Sequence, residues 1–228
     1  QTLQRVVEYL AQQAYSSQVM VVDDGSDDKT AAVVEEFSAA HPSVELIRND
    51  HRGKGYAVRT GTLRARGEIV LFFDADSSTP IEDVEKLLPW FERGYGIVIG
   101  SREGAGAHRI SEPLYRHVMG RVFNFLVRAL TVRGIQDTQC GFKLFTRKAA
   151  MDLFGNLHLR RWAFDTELVM LAERLGILVS EVAVPLQEVD GSKLDTSKLA
   201  LALVSMTMLR DMLCLRDCYS LGLWKVKQ

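Results

Sequence analysis

The sequence has few cysteines, no long apolar run and no excess of charge of either sign. Its three cysteines, Cys140, Cys214 and Cys218, are odd in number and lack metal-ligand spacing, so we interpret them as reduced, buried thiols, which fits a compartment facing the cytosol. No stretch reaches the roughly 18 apolar residues that span a bilayer, and the longest, 199–209, is too short. A net charge of −1 gives no general basic field, so we expect no nucleic-acid partner.

Short apolar runs instead alternate with helical patterns over most of the 228 residues. The alternation predicts an α/β fold, a doubly wound and mostly parallel sheet. Ligands of such sheets bind outside the carboxyl ends of the strands, so the polar motifs that follow the strands should meet at one rim. The predicted strands are 19–22, 44–48, 69–73, 96–100 and 179–185, and the predicted helices are 2–15, 28–40, 56–65, 81–91, 114–130, 147–154, 166–175 and 199–215.

Asp74 and Asp76 follow the third predicted strand with one residue between them. Two carboxylates at this spacing can hold a hard divalent cation, and Mg²⁺ prefers one or two carboxylates together with substrate phosphates. A polar turn with capping aspartates is the alternative for the tripeptide alone. Together with the other motifs of the rim, the pair favours a metal site for a diphosphate ligand.

Two further polar runs follow strands on the same rim. Asp23 and Asp24 offer acceptors for a base N–H or for ribose hydroxyls. The alternative for this run is an N-cap for the next helix, supplied by Ser26 or Asp27, and both roles can hold at once. Arg52 and Lys54 flank a glycine in a loop whose backbone N–H groups can approach a phosphate closely. The alternative for the loop is a solvated turn.

Three charged residues lie next to apolar segments. Arg102 and Arg116 suit a phosphate headgroup with a hydrocarbon tail, or Arg116 is a snorkelling side chain on a surface helix. Asp165 lies beside Trp162 and Phe164, a setting that raises a carboxyl pKa. Three interpretations of Asp165 remain open: a general base, a residue that orients an acceptor or a loop, and a helix N-cap.

In order and spacing, the runs 21–26, 52–55, 74–76 and 100–102 resemble the family 2 inverting glycosyltransferases of the GT-A fold. The later runs 137–145, 161–165 and 191–194 look like the dolichyl-phosphate β-glucosyltransferase branch of that family. The resemblance covers about 19–194. It implies a GT-A catalytic domain at 1–198, followed by an apolar, amphipathic helical segment at 199–228.

The resemblance further implies UDP-glucose as donor, dolichyl phosphate as acceptor and Mg²⁺ or Mn²⁺ as cofactor, with inversion at the anomeric carbon. The product, dolichyl β-D-glucosyl phosphate, would serve N-glycosylation at the cytosolic face of the endoplasmic reticulum membrane. By position, the resemblance implies that Asp23 and Asp24 contact the nucleoside and that Arg52, Lys54 and Lys193 lie near the donor phosphates. Asp74 would face ribose or metal, and Asp76 would be the principal metal ligand. Arg102 and Arg116 would hold the acceptor phosphate, and Asp165 and Arg102 would lie at the reaction centre.

Two departures from the family stand out. The relatives open with a strand bearing a Pro-x-Tyr-Asn-Glu motif and carry an N-terminal membrane anchor, and the sequence contains neither, so we expect a sheet without its first strand. The apolar segments 123–130 and 199–215 either rest on a membrane surface or pack in the core. Oligomeric state is not specified by the sequence.

Other functions fit the same motifs. A dolichyl- or polyprenyl-phosphate mannosyltransferase using GDP-mannose, or a bacterial polyprenyl-phosphate glucosyltransferase, would share the chemistry. A non-catalytic sugar-nucleotide-binding subunit and a soluble nucleotidyltransferase belong to different classes. The retention of Asp74 and Asp76 argues against a non-catalytic subunit.

Overall fold

The computed structural model describes residues 1–101, 134–185 and 198–226, with side chains of the last range from residue 206 onward. Helices and strands alternate from residue 2 to residue 101 as the sequence predicts. The elements are α1 (Thr2–Leu10), β1 (Val19–Asp23), α2 (Thr30–Ala40), β2 (Val44–Arg48), α3 (Lys54–Arg64), β3 (Ile69–Phe73), α4 (Val84–Leu87), β4 (Ile97–Ser101), β5 (Phe142–Thr146), α5 (Arg147–Asn156), α6 (Phe164–Leu175), β6 (Val179–Ala183) and α7 (Lys198–Ser220). The predicted helix 114–130 lies outside the described residues.

The strands form two sheets within the described ranges. β1 and β2 make a parallel pair, and the second sheet has the order β3-β5-β4-β6. In that sheet β4 and β6 are parallel, whereas β5 is antiparallel to both of its neighbours. The α/β class is confirmed, and the larger sheet is mixed.

Strand β5 is an element that the sequence analysis missed. It follows directly on the polar run 137–141, and Lys143 interrupts its apolar pattern. Both edges of β5 are hydrogen-bonded, and Phe142, Leu144 and Phe145 are fully buried. The strand is therefore the centre of the sheet, and Lys143 lies in the interior because β5 carries it there.

Two predicted helices differ from the structure in extent or type. α1 ends at Leu10 rather than at residue 15, because the polar residues that follow offer the core no apolar partner. The predicted helix 81–91 is a short α4 between the 3₁₀ turns Ile81–Asp83 and Leu88–Arg93. Pro89 explains the second turn, because proline lacks the N–H that an α-helix would use there.

The C-terminal helix packs onto the body of the domain. Met208, Met212, Leu215 and Tyr219 recur at intervals of four, three and four and are all buried, which marks one face of α7 as part of the core. The predicted helix 199–215 is confirmed and continues to Ser220. Within the described ranges, no helix is both long and apolar enough to cross a membrane.

Candidate active site

Asp24 fixes the loop that precedes α3. Its Oδ1 accepts the backbone N–H of Arg52 at 3.1 Å, and its Oδ2 accepts that of Gly53 at 2.7 Å. Gly53 has a φ of +104°, and a Cβ at this position would lie 2.7 Å from the carbonyl oxygen of Arg160. Only glycine fits both constraints. The carboxylate of Asp24 therefore supports the loop, and its predicted contact with a nucleoside stays a prediction.

Asp23 lies buried at the end of β1, and its carboxylate stabilises the turn that follows the strand. Its carboxylate accepts both the backbone N–H and the hydroxyl of Ser26. The turn explains why α2 begins only at Thr30, whose N–H donates to Asp28 Oδ1 at 2.9 Å. The predicted nucleoside contact of Asp23 stays a prediction.

Lys54 and Asp74 meet at the carboxyl end of β3, as the sequence predicts for motifs of one rim. The Lys54 Nζ lies 2.9 Å from Asp74 Oδ1 and 3.0 Å from Oδ2. The two side chains are 23% and 27% exposed, so the pair is open to solvent on one side. The arrangement places an ammonium group directly against a carboxylate at the rim.

Asp76 lies on the exposed side of the same turn. Its Oδ1 accepts the backbone N–H of Ser78 at 3.0 Å, and the turn is held by Ser77 in a left-handed conformation with a φ of 55°. Among the residues with described positions, no cluster of three or more His, Cys, Asp or Glu side chains forms a closed metal cage. Two hard carboxylates without further protein ligands match the open coordination that Mg²⁺ or Mn²⁺ uses when phosphates and waters complete the shell. The residues present therefore fit such a cation.

Asp165 is buried in the interior, in an ion pair with Lys143. Lys143 Nζ lies 2.5 Å from Asp165 Oδ1 and donates to the carbonyl oxygen of Cys140 at 2.6 Å. Burial raises the pKa of Asp165, while the ammonium groups of Lys143 and Lys54 oppose that rise. The predicted N-cap role is not seen, because α6 begins before Asp165, at Phe164.

Aromatic rings surround the two lysines. The Phe72 ring lies 5.5 Å from Lys54 Nζ and 5.7 Å from Lys143 Nζ, and the Trp162 ring lies 5.0 Å from Lys54 Nζ. Such cation–π contacts hold an ammonium group without neutralising it. Phe72 and Trp162 are contributors that the sequence analysis did not assign.

Arg52 and Arg160 form a second aromatic contact at the edge of this site. Their guanidinium groups lie 5.0 Å and 5.9 Å from the ring of Tyr56. Arg52 also bonds Asp50 Oδ2 at 3.0 Å, and this bond raises the pKa of Arg52 further above its ordinary value. Both arginines are exposed, so their donors remain accessible to an anion. Arg160 was not among the predicted site residues.

A buried glutamate holds the segment that carries Arg160 and Trp162. Glu167 accepts the backbone N–H groups of His158 and Leu159 at 3.0 Å and 2.7 Å, and the hydroxyl of Tyr219 at 2.9 Å. The C-terminal end of α7 is thereby linked to the segment that borders Lys54. Three predicted site residues, Arg102, Arg116 and Lys193, lie outside the described residues.

The fold is that of the GT-A glycosyltransferases. The glucosyl-3-phosphoglycerate synthase of Mycobacterium tuberculosis, solved with Mn²⁺, UDP-glucose and phosphoglyceric acid, superposes with a TM-score of 0.66 at 19% identity, over 95% of this chain and 75% of that one. The mannosyl-3-phosphoglycerate synthase of Rubrobacter xylanophilus gives a TM-score of 0.60 at 21% identity, over 92% of this chain and 68% of that one. At these identities the likeness concerns the fold.

Sequence comparison gives the family. Residues 1–154 match glycosyl transferase family 2, and the chain belongs to that family. The dolichyl-phosphate β-glucosyltransferases of Mus musculus and Homo sapiens are 43% and 41% identical to it, each over 94% of this chain and 68% of their own length. That of Dictyostelium discoideum is 41% identical over 93% of this chain and 66% of its own length. The chain thus spans about two thirds of the length of these relatives.

The support that Asp24 gives to the Arg52–Gly53 loop is testable. In Asp24→Asn, an amide group replaces one acceptor, so one loop N–H loses its partner, and we expect the free energy of unfolding to fall by about 1–3 kcal/mol. Hydrogen exchange at the Arg52 and Gly53 amides should accelerate. The control is Asp50→Asn, whose side chain is 86% exposed and whose effect should stay within about 0.5 kcal/mol. Unchanged exchange in Asp24→Asn would contradict the assignment.

Proposed function

We propose that this chain transfers glucose from UDP-glucose to dolichyl phosphate with inversion, giving dolichyl β-D-glucosyl phosphate for N-glycosylation. The observation that carries the proposal is the contact of Lys54 with Asp74 at the carboxyl end of β3, in a chain 43% identical to a dolichyl-phosphate β-glucosyltransferase. This contact joins a cation for phosphates to a carboxylate for a metal. Both groups suit a sugar diphosphate donor.

The donor diphosphate is assigned to the rim between α3 and β3. Lys54 lies there with its ammonium group in contact with two aromatic rings, and Arg52 and Arg160 lie exposed against the ring of Tyr56 on the same helix. Preorganised cations of this kind stabilise the charge that develops on the leaving UDP without having to reorganise during the reaction. Lys193 would add a further cation to the same diphosphate.

Asp74 and Asp76 would hold Mg²⁺ or Mn²⁺. A divalent cation bound there supplies Lewis-acid stabilisation of the leaving diphosphate. Asp74 would hold the cation, and the neighbouring ammonium group of Lys54 would bind the phosphate oxygens. Asp76, on the exposed side of the turn, retains one carboxylate oxygen beyond its bond to Ser78.

The acceptor needs little help from a base. A phosphate monoester has a second pKa of about 6, so its oxygen is already a nucleophile near neutral pH. Arg102 and Arg116 are proposed to hold that phosphate for in-line attack on the anomeric carbon. The reaction then depends on alignment and on charge stabilisation more than on proton transfer.

The donor and the metal are tested by a transfer assay on the full-length protein. Radiolabelled UDP-glucose and GDP-mannose are offered separately with dolichyl phosphate and Mg²⁺, and the lipid is extracted. We expect label in the lipid from UDP-glucose alone, abolished by a chelator. Label from GDP-mannose would overturn the sugar assignment, and nucleotide binding without any transfer would favour a non-catalytic subunit.

A second test concerns Asp76. A metal contributes several kcal/mol of transition-state stabilisation, so Asp76→Asn should lower kcat by about 100-fold or more. The matched control is Asp152→Asn on α5, where the carboxylate bonds Lys148 at the surface and should be dispensable. Full activity of Asp76→Asn would eliminate the metal role of this residue.

We further propose that the domain works at the cytosolic surface of the endoplasmic reticulum membrane, where a dolichyl phosphate headgroup lies. Three apolar side chains of the C-terminal segment support this: Met206, Leu221 and Leu223 are 69%, 72% and 69% exposed. Apolar groups in this position can enter the boundary of headgroups and acyl chains.

Flotation with phosphatidylcholine vesicles containing dolichyl phosphate tests the membrane proposal. Leu221→Asp/Leu223→Asp should lower vesicle binding at least about tenfold, since each leucine contributes about 1.5–3 kcal/mol on burial. The control is Val33→Asp, which changes a 60% exposed apolar residue on α2. Equal binding of both variants and of the unaltered protein would contradict this membrane contact.

A further inference from the structure

The ion pair between Lys143 and Asp165 is connected to the rim through the turn that precedes β5. Lys143 and Asp165 are only 1% and 3% exposed in their side chains. Besides Asp165, the Lys143 ammonium group binds the carbonyl oxygen of Cys140 at 2.6 Å. The pair therefore fixes the backbone of Cys140, the residue immediately before Gly141.

Gly141 is the point where this turn meets Asp74. The backbone N–H of Asp74 donates to the carbonyl oxygen of Gly141 at 2.9 Å. A Cβ added to Gly141 would lie 1.9 Å from Asp74 Oδ2 and 2.2 Å from its Cγ. The Asp74 carboxylate thus rests directly on the Cα of Gly141, and any larger residue would displace it.

We propose that Gly141 and Lys143 are positioning residues for the Asp74 carboxylate, and that Asp165 acts through Lys143 rather than on the acceptor. The inference rests on the proposed function only in taking Asp74 as the carboxylate of the donor–metal complex. The path runs from Asp165 through Lys143 and Cys140 to Gly141 and Asp74.

The burial of Asp165 supports this role. At 2% exposure the residue is nearly closed to solvent, and one carboxylate oxygen is committed to Lys143. A phosphate acceptor makes no strong demand for a base. Desolvation raises the pKa of Asp165, and Lys143 is the first of the neighbouring charges that oppose the rise, so the two groups act as one unit.

The energetics of a buried ion pair distinguish a positioning role of Asp165 from a chemical role. Removal of one partner leaves an uncompensated charge in the interior, whereas replacement of both by neutral residues of similar shape is often tolerated. Asp165→Asn and Lys143→Met should each disturb the turn that supports Asp74. The double variant should restore the turn if Asp165 positions, and should stay inactive if Asp165 reacts.

The first measurement is Mn²⁺ binding in the presence of UDP, followed by electron paramagnetic resonance, which needs neither sugar nor lipid. Gly141→Ala should weaken Mn²⁺ binding about 10–100-fold. Gly155→Ala is the matched control, because a Cβ at Gly155 meets nothing within 4 Å. Equal Mn²⁺ affinity in Gly141→Ala and Gly155→Ala would overturn the role of Gly141.

The pair is tested by the same titration on single and double variants. Lys143→Met and Asp165→Asn should each weaken Mn²⁺ binding at least about tenfold. Lys143→Met/Asp165→Asn should recover to within about threefold of the unaltered protein, with sugar transfer recovering in parallel. A double variant that binds Mn²⁺ normally but transfers no sugar would overturn the proposal and make Asp165 a catalytic residue.

Hydrogen exchange at the Asp74 amide gives a readout that is independent of the metal. Exchange should accelerate in each single variant and slow again in the double variant, because this amide bonds Gly141. If the unaltered protein fails to bind Mn²⁺ with UDP present, the metal assignment of the proposed function fails. In that case hydrogen exchange still decides the positioning role. Unchanged exchange at the Asp74 amide in the single variants overturns that role. Exchange that accelerates in each single variant and slows again in the double variant upholds it.

Discussion

Strand β5 is hydrogen-bonded along both edges, to β3 and to β4, and the geometry of the site depends on this pairing. A one-residue slip in its register would turn Lys143 away from Asp165 and move Gly141 away from Asp74. The apolar neighbours of Lys143 on β5 are fully buried, so core packing opposes such a slip. The interior of the sheet and the exposed rim are therefore stabilised by the same interaction.

Several carboxylates of this domain accept hydrogen bonds from backbone amides. Asp24 binds the amides of the loop before α3, and Glu167 binds those of His158 and Leu159. Both loops border Lys54, so the cation stands between two segments whose backbones are fixed. Charge-assisted bonds of this kind are among the stronger hydrogen bonds in proteins, and they give loops the precision that phosphate alignment requires.

Asp74 and Asp76, the two carboxylates after β3, differ in their surroundings. This difference suits a metal ion that binds together with a substrate. Asp74 is half-buried and balanced by Lys54, whereas Asp76 is exposed. An incomplete protein shell keeps coordination positions for diphosphate oxygens. The proposed lipid acceptor brings its own phosphate nucleophile. The main tasks of the protein are therefore alignment and charge stabilisation.

The sequence by itself determined the α/β class, the strands that carry the rim motifs and the meeting of Lys54 with Asp74, because strand periodicity and the carboxyl-end rule are local or topological properties. It did not reveal β5, whose pairing depends on partners about 45 to 75 residues away along the chain. Nor did it show that Asp24 would hold a loop or that Asp165 would pair with Lys143. Those contacts join residues 22 to 29 positions apart. Only tertiary packing decides which polar group each buried carboxylate meets, since desolvation makes an unpaired one too costly to retain.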